Sequence, residues 1–190
     1  MFINFVALML VNLVASMLVL AHFVYYGLDA PSRRPWVPAF TIVGGVALLT
    51  GLRMVFTFPL PGAHNAAFGE PYVLLGAAFL GAALSMAYDW DLLPVALYAS
   101  VAGLAGIIVG IGIINLGMTR EPAISGLGFI LAGLAGLLST PAYLWRHNRT
   151  LRLAGTAVLL LAAAIWAVTA YGAVWSHLES LANWVPATLR

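Results

Sequence analysis

Long apolar runs, broken by short polar or proline-rich segments, set the organisation of the chain. The runs cover residues 2–26, 36–58, 71–88, 94–118, 125–145 and 153–178. A helix that crosses a bilayer needs about 20 predominantly apolar residues. The pattern therefore predicts an all-α fold, a bundle of six transmembrane helices forming one domain over residues 1–190. Proline and glycine punctuate it: Gly27 to Pro31 ends the first run, and Pro59-Leu60-Pro61-Gly62 ends the second. The third run is the shortest and is expected to start at Pro71, since a first-turn proline has no N–H to leave unpaired. Met1 leads directly into apolar sequence, without a basic segment or a clear cleavage site, so the first run reads as a span and not a signal peptide.

Composition agrees with this pattern. Hydrophobic residues make up 63% of the chain and charged residues 7%, with a mean hydropathy of +1.02; a soluble chain carries about 25% charged residues. The expected partner is the lipid bilayer. A net charge of +2, scattered along the chain, argues against nucleic-acid binding. The absence of cysteine excludes disulfides, thiolate metal sites and thiol catalysis.

The charges also orient the chain. Arg33, Arg34, Arg146, Arg149 and Arg152 fall in two loops on one side. Positive loops stay cytoplasmic, which places both termini outside the cytoplasm. Tyr25, Tyr26, Trp36, Tyr88, Trp90, Trp145 and Trp184 lie near span ends, where aromatic belts form.

Small residues are expected to pack the bundle. Ala102, Gly106 and Gly110 in the fourth span, and Gly128, Ala132 and Gly136 in the fifth, recur every four residues. Such stripes let backbones approach closely, within one chain or across a homo-oligomer. The second and third spans also echo the fourth and fifth, a parallel helix-hairpin repeat.

Ionisable groups within spans are costly and mark candidate sites. Arg53 lies about 8 Å inside the end of the second span at 1.5 Å per residue, so it either snorkels outward or pairs with a carboxylate. Glu70 is the best partner, and just before Pro71 it would also cap the third helix. With His64, Asn65 and Asn115 these residues form a candidate ligand- or ion-binding site on the outer side. The plainer reading makes them loop charges, helix caps and interhelical hydrogen bonders.

His22 and His147 toward the inner side, and His64 and His177 toward the outer, permit a haem b scheme as an alternative. No two of them share a well-placed helical face. Asp89 and Asp91 are too few carboxylates for a hard-cation site, so no metal site is expected. Ser139-Thr140-Pro141 predicts a kink whose hydroxyls re-satisfy the backbone. No nucleophile, zinc or nucleotide motif occurs, and no enzymatic chemistry is expected.

Several motifs resemble those of a prokaryotic family of multi-spanning membrane proteins of unknown function. They are Gly51-Leu52, Phe58-Pro59-Leu60-Pro61-Gly62, Asn65, Phe68-Gly69-Glu70-Pro71, Trp90-Asp91-Leu92-Leu93-Pro94-Val95 and Ile114-Asn115-Leu116-Gly117. His64 stands where relatives are expected to carry an aromatic residue such as tyrosine, which weakens a haem scheme that needs it. The resemblance implies an integral membrane protein and supplies no activity or cofactor. The functions left open are binding or passage of a small solute or ion at the outer site, a subunit of a larger membrane complex, a haem-b electron-transfer subunit, or a structural assembly subunit.

Overall fold

In the computed structural model, which describes residues 5–185, every regular element is helical. The helices are α1 (Val6–His22), α2 (Val37–Thr57), α3 (His64–Ala87), α4 (Leu93–Leu116), α5 (Pro122–Leu137), α6 (Ser139–Leu144) and α7 (Arg149–Leu181). A π-helical turn, Phe23–Gly27, extends α1, and a 3-10 turn, Arg34–Trp36, leads into α2. Five helical segments, those of α1, α2, α3, α4 and α7, are long and apolar enough to cross a membrane.

Local chemistry explains most boundaries. Helices α2, α4 and α5 carry proline in the first turn, where its fixed φ suits the helix. α7 is capped by Asn148, whose side chain accepts from Leu151 N at 3.2 Å.

Three expectations are corrected. The third helix starts at His64, not Pro71, so the proline lies inside α3 and removes the bond its N–H would give Ala67. The expected fifth span is two helices, α5 and α6, broken at Leu138. Pro141 accounts for the break, and Ser100 bonds both Thr140 Oγ1, at 2.8 Å, and Ser139 Oγ, at 3.3 Å, across to α4. Finally, α7 begins before residue 153 and runs on to Leu181, 33 residues in all.

The helices close into a ring. α2 packs most extensively on α3, α4 on α5, and α1 on α7; smaller contacts of α1 with α2, α3 with α4 and α5 with α7 complete the circuit. The tightest seams are glycine seams. A Cβ on Gly44 would lie 2.9 Å from Leu80 N, and one on Gly51 2.8 Å from Val73 N. Gly103, Gly106 and Gly110 of α4 meet Gly126, Gly133 and Gly136 of α5 in the same way. Of the expected stripes, Gly106, Gly110 and Gly136 lie in this seam, Gly128 packs against the Trp166 ring of α7, Ala132 packs on the core beside the interior, and Ala102 lines the interior.

The outer surface is apolar. Leu49 is 72% exposed, Phe56 78% and Val101 73%. Helices apolar on every side are compatible with membrane spans or with burial in a larger assembly, not with a water-facing surface.

Candidate functional site

At one end of the ring the turn between α2 and α3 is built by unusual backbone and one asparagine. Phe58 ends α2 in the left-handed region (φ 42°) and Gly62 has φ 57°. Asn65 is buried in the first turn of α3, accepts from Leu60 N at 2.9 Å and donates to the carbonyls of Leu60 and Gly62. Its amide closes the turn, which is why the helix begins upstream of Pro71. His64 places Nδ1 2.8 Å from Pro61 O and Nε2 2.6 Å from Met118 O, tying this turn to the α4–α5 turn. A neutral ring donates to one of these carbonyls at a time, and a protonated ring to both.

The other three candidates do not join them. Arg53 is exposed, its guanidinium 5.9 Å from the Phe5 ring centre. Glu70 is exposed on the second turn of α3, caps nothing, and forms no ion pair with Arg53. Asn115 is exposed near the end of α4.

The opposite end collects the arginines. Arg34 meets Asp89 at 2.5 Å, and Asp29 takes His147 at 2.7 Å and Arg152 at 3.9 Å. Arg33 and Arg146 flank the Tyr143 ring, with guanidinium carbons 5.9 and 4.8 Å from its centre. His22 accepts from Trp36 Nε1 through its Nδ1 at 3.1 Å. His22 and His147 therefore each hold a partner other than another histidine, and His177 lies on the exposed last turns of α7. No three acidic or histidine side chains gather as a metal site among the described residues.

A buried polar network in the helices escaped the sequence reading. Asn12 Nδ2 donates to Val43 O and to Tyr72 Oη, both at 3.0 Å, and Tyr72 Oη donates to Met9 O at 2.7 Å. Ser16 closes onto Asn12 O at 2.7 Å. It joins α1, α2 and α3. The signal was present: Asn12 and Ser16, four residues apart and hence on one helix face, interrupt an otherwise apolar first run.

Between the helices lies a cavity of about 900 Å³, partly open to the surface at Ile124, Leu138, Trp145 and Val168, that reaches from Thr119 and Arg120 at the proline-turn end to Leu28, Tyr143 and Leu151 at the arginine end. Its wall is chiefly aliphatic, with an aromatic file in which Phe68 stacks on Phe129 (6.0 Å) and Phe129 meets Trp166 edge-on (5.2 Å). Trp166 is 3% exposed, and its buried Nε1 has no hydrogen-bond partner. None of Arg53, His64, Asn65, Glu70 and Asn115 lines this cavity.

A ring of helices, apolar outside and around an apolar interior, defines an all-helical chain compatible with a membrane protein. The chain belongs to the family described as "Protein of unknown function (DUF981)", whose model matches residues 1–180. No curated protein and no solved structure matches it.

Proposed function

We propose that the chain is a six-crossing membrane protein whose ring holds an apolar, chain-like molecule in its interior. The observation that carries this reading is the cavity of about 900 Å³. Ligand sites span roughly 300–1,000 Å³ and are lined mainly by apolar and aromatic side chains with few polar groups. An apolar void gives water too few partners to hold it, whereas a hydrocarbon chain fills it with dispersion contacts. A hydrophilic solute or ion finds less support, because Arg53, His64, Asn65, Glu70 and Asn115 do not line the interior, whose polar residues are few beside its aliphatic ones and include Thr119, Arg120, Glu121 and Ser125 at the proline-turn end.

In this reading α5 and α6 together make the fifth crossing, and the arginine-rich end faces the cytoplasm with both termini outside. The α2–α3 and α4–α5 hairpins, each closed by glycines against backbone, are the two copies of a parallel repeat.

The test is native mass spectrometry of the detergent-purified chain titrated with mono-oleoylglycerol. Wild-type protein is expected to hold the probe, and Ala78→Trp/Ala102→Trp, which fills the cavity from two walls, to lose it while keeping its helical circular dichroism. Wild-type protein that takes up no probe, or a filled variant that binds it equally well, refutes the reading.

A further inference from the structure

We propose that the molecule in the cavity is a phosphate-headed lipid, with its head held by Arg33 and Arg146 at the arginine end. This rests on the apolar-ligand reading and adds the chemistry of the head. Five arginines lie at this end, but their environments differ; Arg149 is on the exposed surface and needs no partner there. Arg34 has Asp89, and Arg152 shares Asp29 with His147. Arg33 and Arg146 have no carboxylate partner among the described residues. Both are half-buried, and both lie against the one Tyr143 ring. Two partly desolvated guanidinium groups set against one ring, neither with a carboxylate, make a cationic spot that an anion would neutralise.

Their hydrogen bonding is also incomplete. Arg33 gives Nη2–H to Leu28 O at 3.2 Å, and Arg146 gives Nη1–H to Tyr143 O at 3.2 Å. The buried Nε of Arg33 has no acceptor, and neither has that of Arg152. Arg152 approaches Asp29, the residue after Leu28, so it borders the same spot. A buried donor left unpaired costs stability; a phosphate oxygen supplies the missing acceptor, and the planar guanidinium suits phosphate geometry.

Position supplies the rest of the argument. Leu28 and Tyr143, the two residues that Arg33 and Arg146 lean on, line the end of the cavity. The cationic pair therefore lies just behind two residues of the cavity wall, and both side chains are bonded to backbone carbonyls of those residues. An amphiphile with its tail in the ring places its head there, and a phosphate monoester brings about −1.5 to −2 charge at pH 7. A carboxyl head would supply one charge and two acceptor oxygens, where the phosphate has three.

The test titrates full-length protein in detergent with three probes: oleoyl lysophosphatidic acid, mono-oleoylglycerol and inorganic phosphate. The first two share one acyl chain and differ in the phosphate. The expected result is at least tenfold tighter binding of the phosphate-bearing lipid, a gap that closes in Arg33→Gln/Arg146→Gln while mono-oleoylglycerol binding stays unchanged. Equal affinity of the two lipids in the wild type overturns the head assignment and leaves the cavity reading standing; this comparison needs no variant to fold. Inorganic phosphate that competes as strongly as the lipid shows a free-anion site and overturns the lipid assignment. Failure of both lipids to bind defeats the cavity reading itself.

Discussion

Replacing Gly76 by alanine adds one methyl group to the α2–α3 seam. That carbon would lie 2.5 Å from Leu48 N, 2.8 Å from its Cα and 2.9 Å from its Cβ. Carbon atoms in good contact sit about 3.5–4.0 Å apart, so α2 must retreat by roughly 1 Å along its most extensive interface. None of the three atoms can rotate away, because two are backbone and the third is fixed to it. Overpacking of this kind costs about 1–3 kcal/mol. Against it stands the helix-propensity gain of Gly→Ala, at most about 1 kcal/mol.

Gly45 provides the control on the neighbouring helix. A Cβ there meets nothing within 4 Å, so only the propensity gain remains. The two substitutions, chemically identical and in adjacent helices, should therefore differ in sign. Gly76→Ala should lose up to about 2 kcal/mol and Gly45→Ala should gain up to about 1 kcal/mol. For a chain of this size 1 kcal/mol shifts the midpoint by roughly 2–4 °C. Thermal unfolding in one detergent, followed by helical circular dichroism, reads the difference. Equal midpoints for the two variants would show that the helices do not meet backbone to backbone at Gly76.

The buried network predicts coupling: a double-mutant cycle of Asn12→Leu and Tyr72→Phe should give about 0.6–1.7 kcal/mol, the range for hydrogen bonds between membrane helices, and strict additivity in an unfolding titration would contradict it. Asn65→Leu should cost about 1–3 kcal/mol by orphaning Leu60 N and its carbonyl partners and should speed proteolysis at residues 58–63, whereas the exposed Asn115→Leu should stay within about 0.5 kcal/mol. Arg53→Ala and Glu70→Gln should leave mono-oleoylglycerol binding unchanged in native mass spectra; a large loss in either would return the interior site to the proline-turn end. Removing the Arg34–Asp89 pair, whose side chains are 62% and 61% exposed, should change stability by less than about 1 kcal/mol in the same melts.

The helices were legible in the sequence because length and apolarity alone specify them in a bilayer; which way each helix faces was not. In water, the polar side of a helix identifies its outer face. Here Leu49 and Phe56 point outward and Met17 and Met54 are fully buried, so residue type carries no such mark. The glycine stripes show the size of the error. Ala102 and Ala132 were read as packing residues, yet Gly103 and Gly133, one position on, make the contact. One residue is a rotation of about 100° at 3.6 residues per turn, enough to take a side chain out of the closest backbone contact, although both positions border the cavity. Pro71 misled in a similar way, because its fit to a first turn hid a stronger start signal, the Asn65 amide closing on Leu60.

The site was harder still to read. The sequence offers polar residues as candidates, and Asn65 and His64 turn out to direct their hydrogen bonds at neighbouring backbone carbonyls and amides. The largest feature of the interior is a space, and a space has no residue type; it arises only when α1 closes against α7 across the whole length of the chain. The arginines make the same point at the level of single charges. Arg33 and Arg34 are adjacent and identical in kind, and both count equally toward orientation. Only the fold gives Arg34 an aspartate while turning Arg33 toward Tyr143 and Arg146 without one. The charge that is left over, and not the number of charges, is what marks the end of the cavity as a place for an anion.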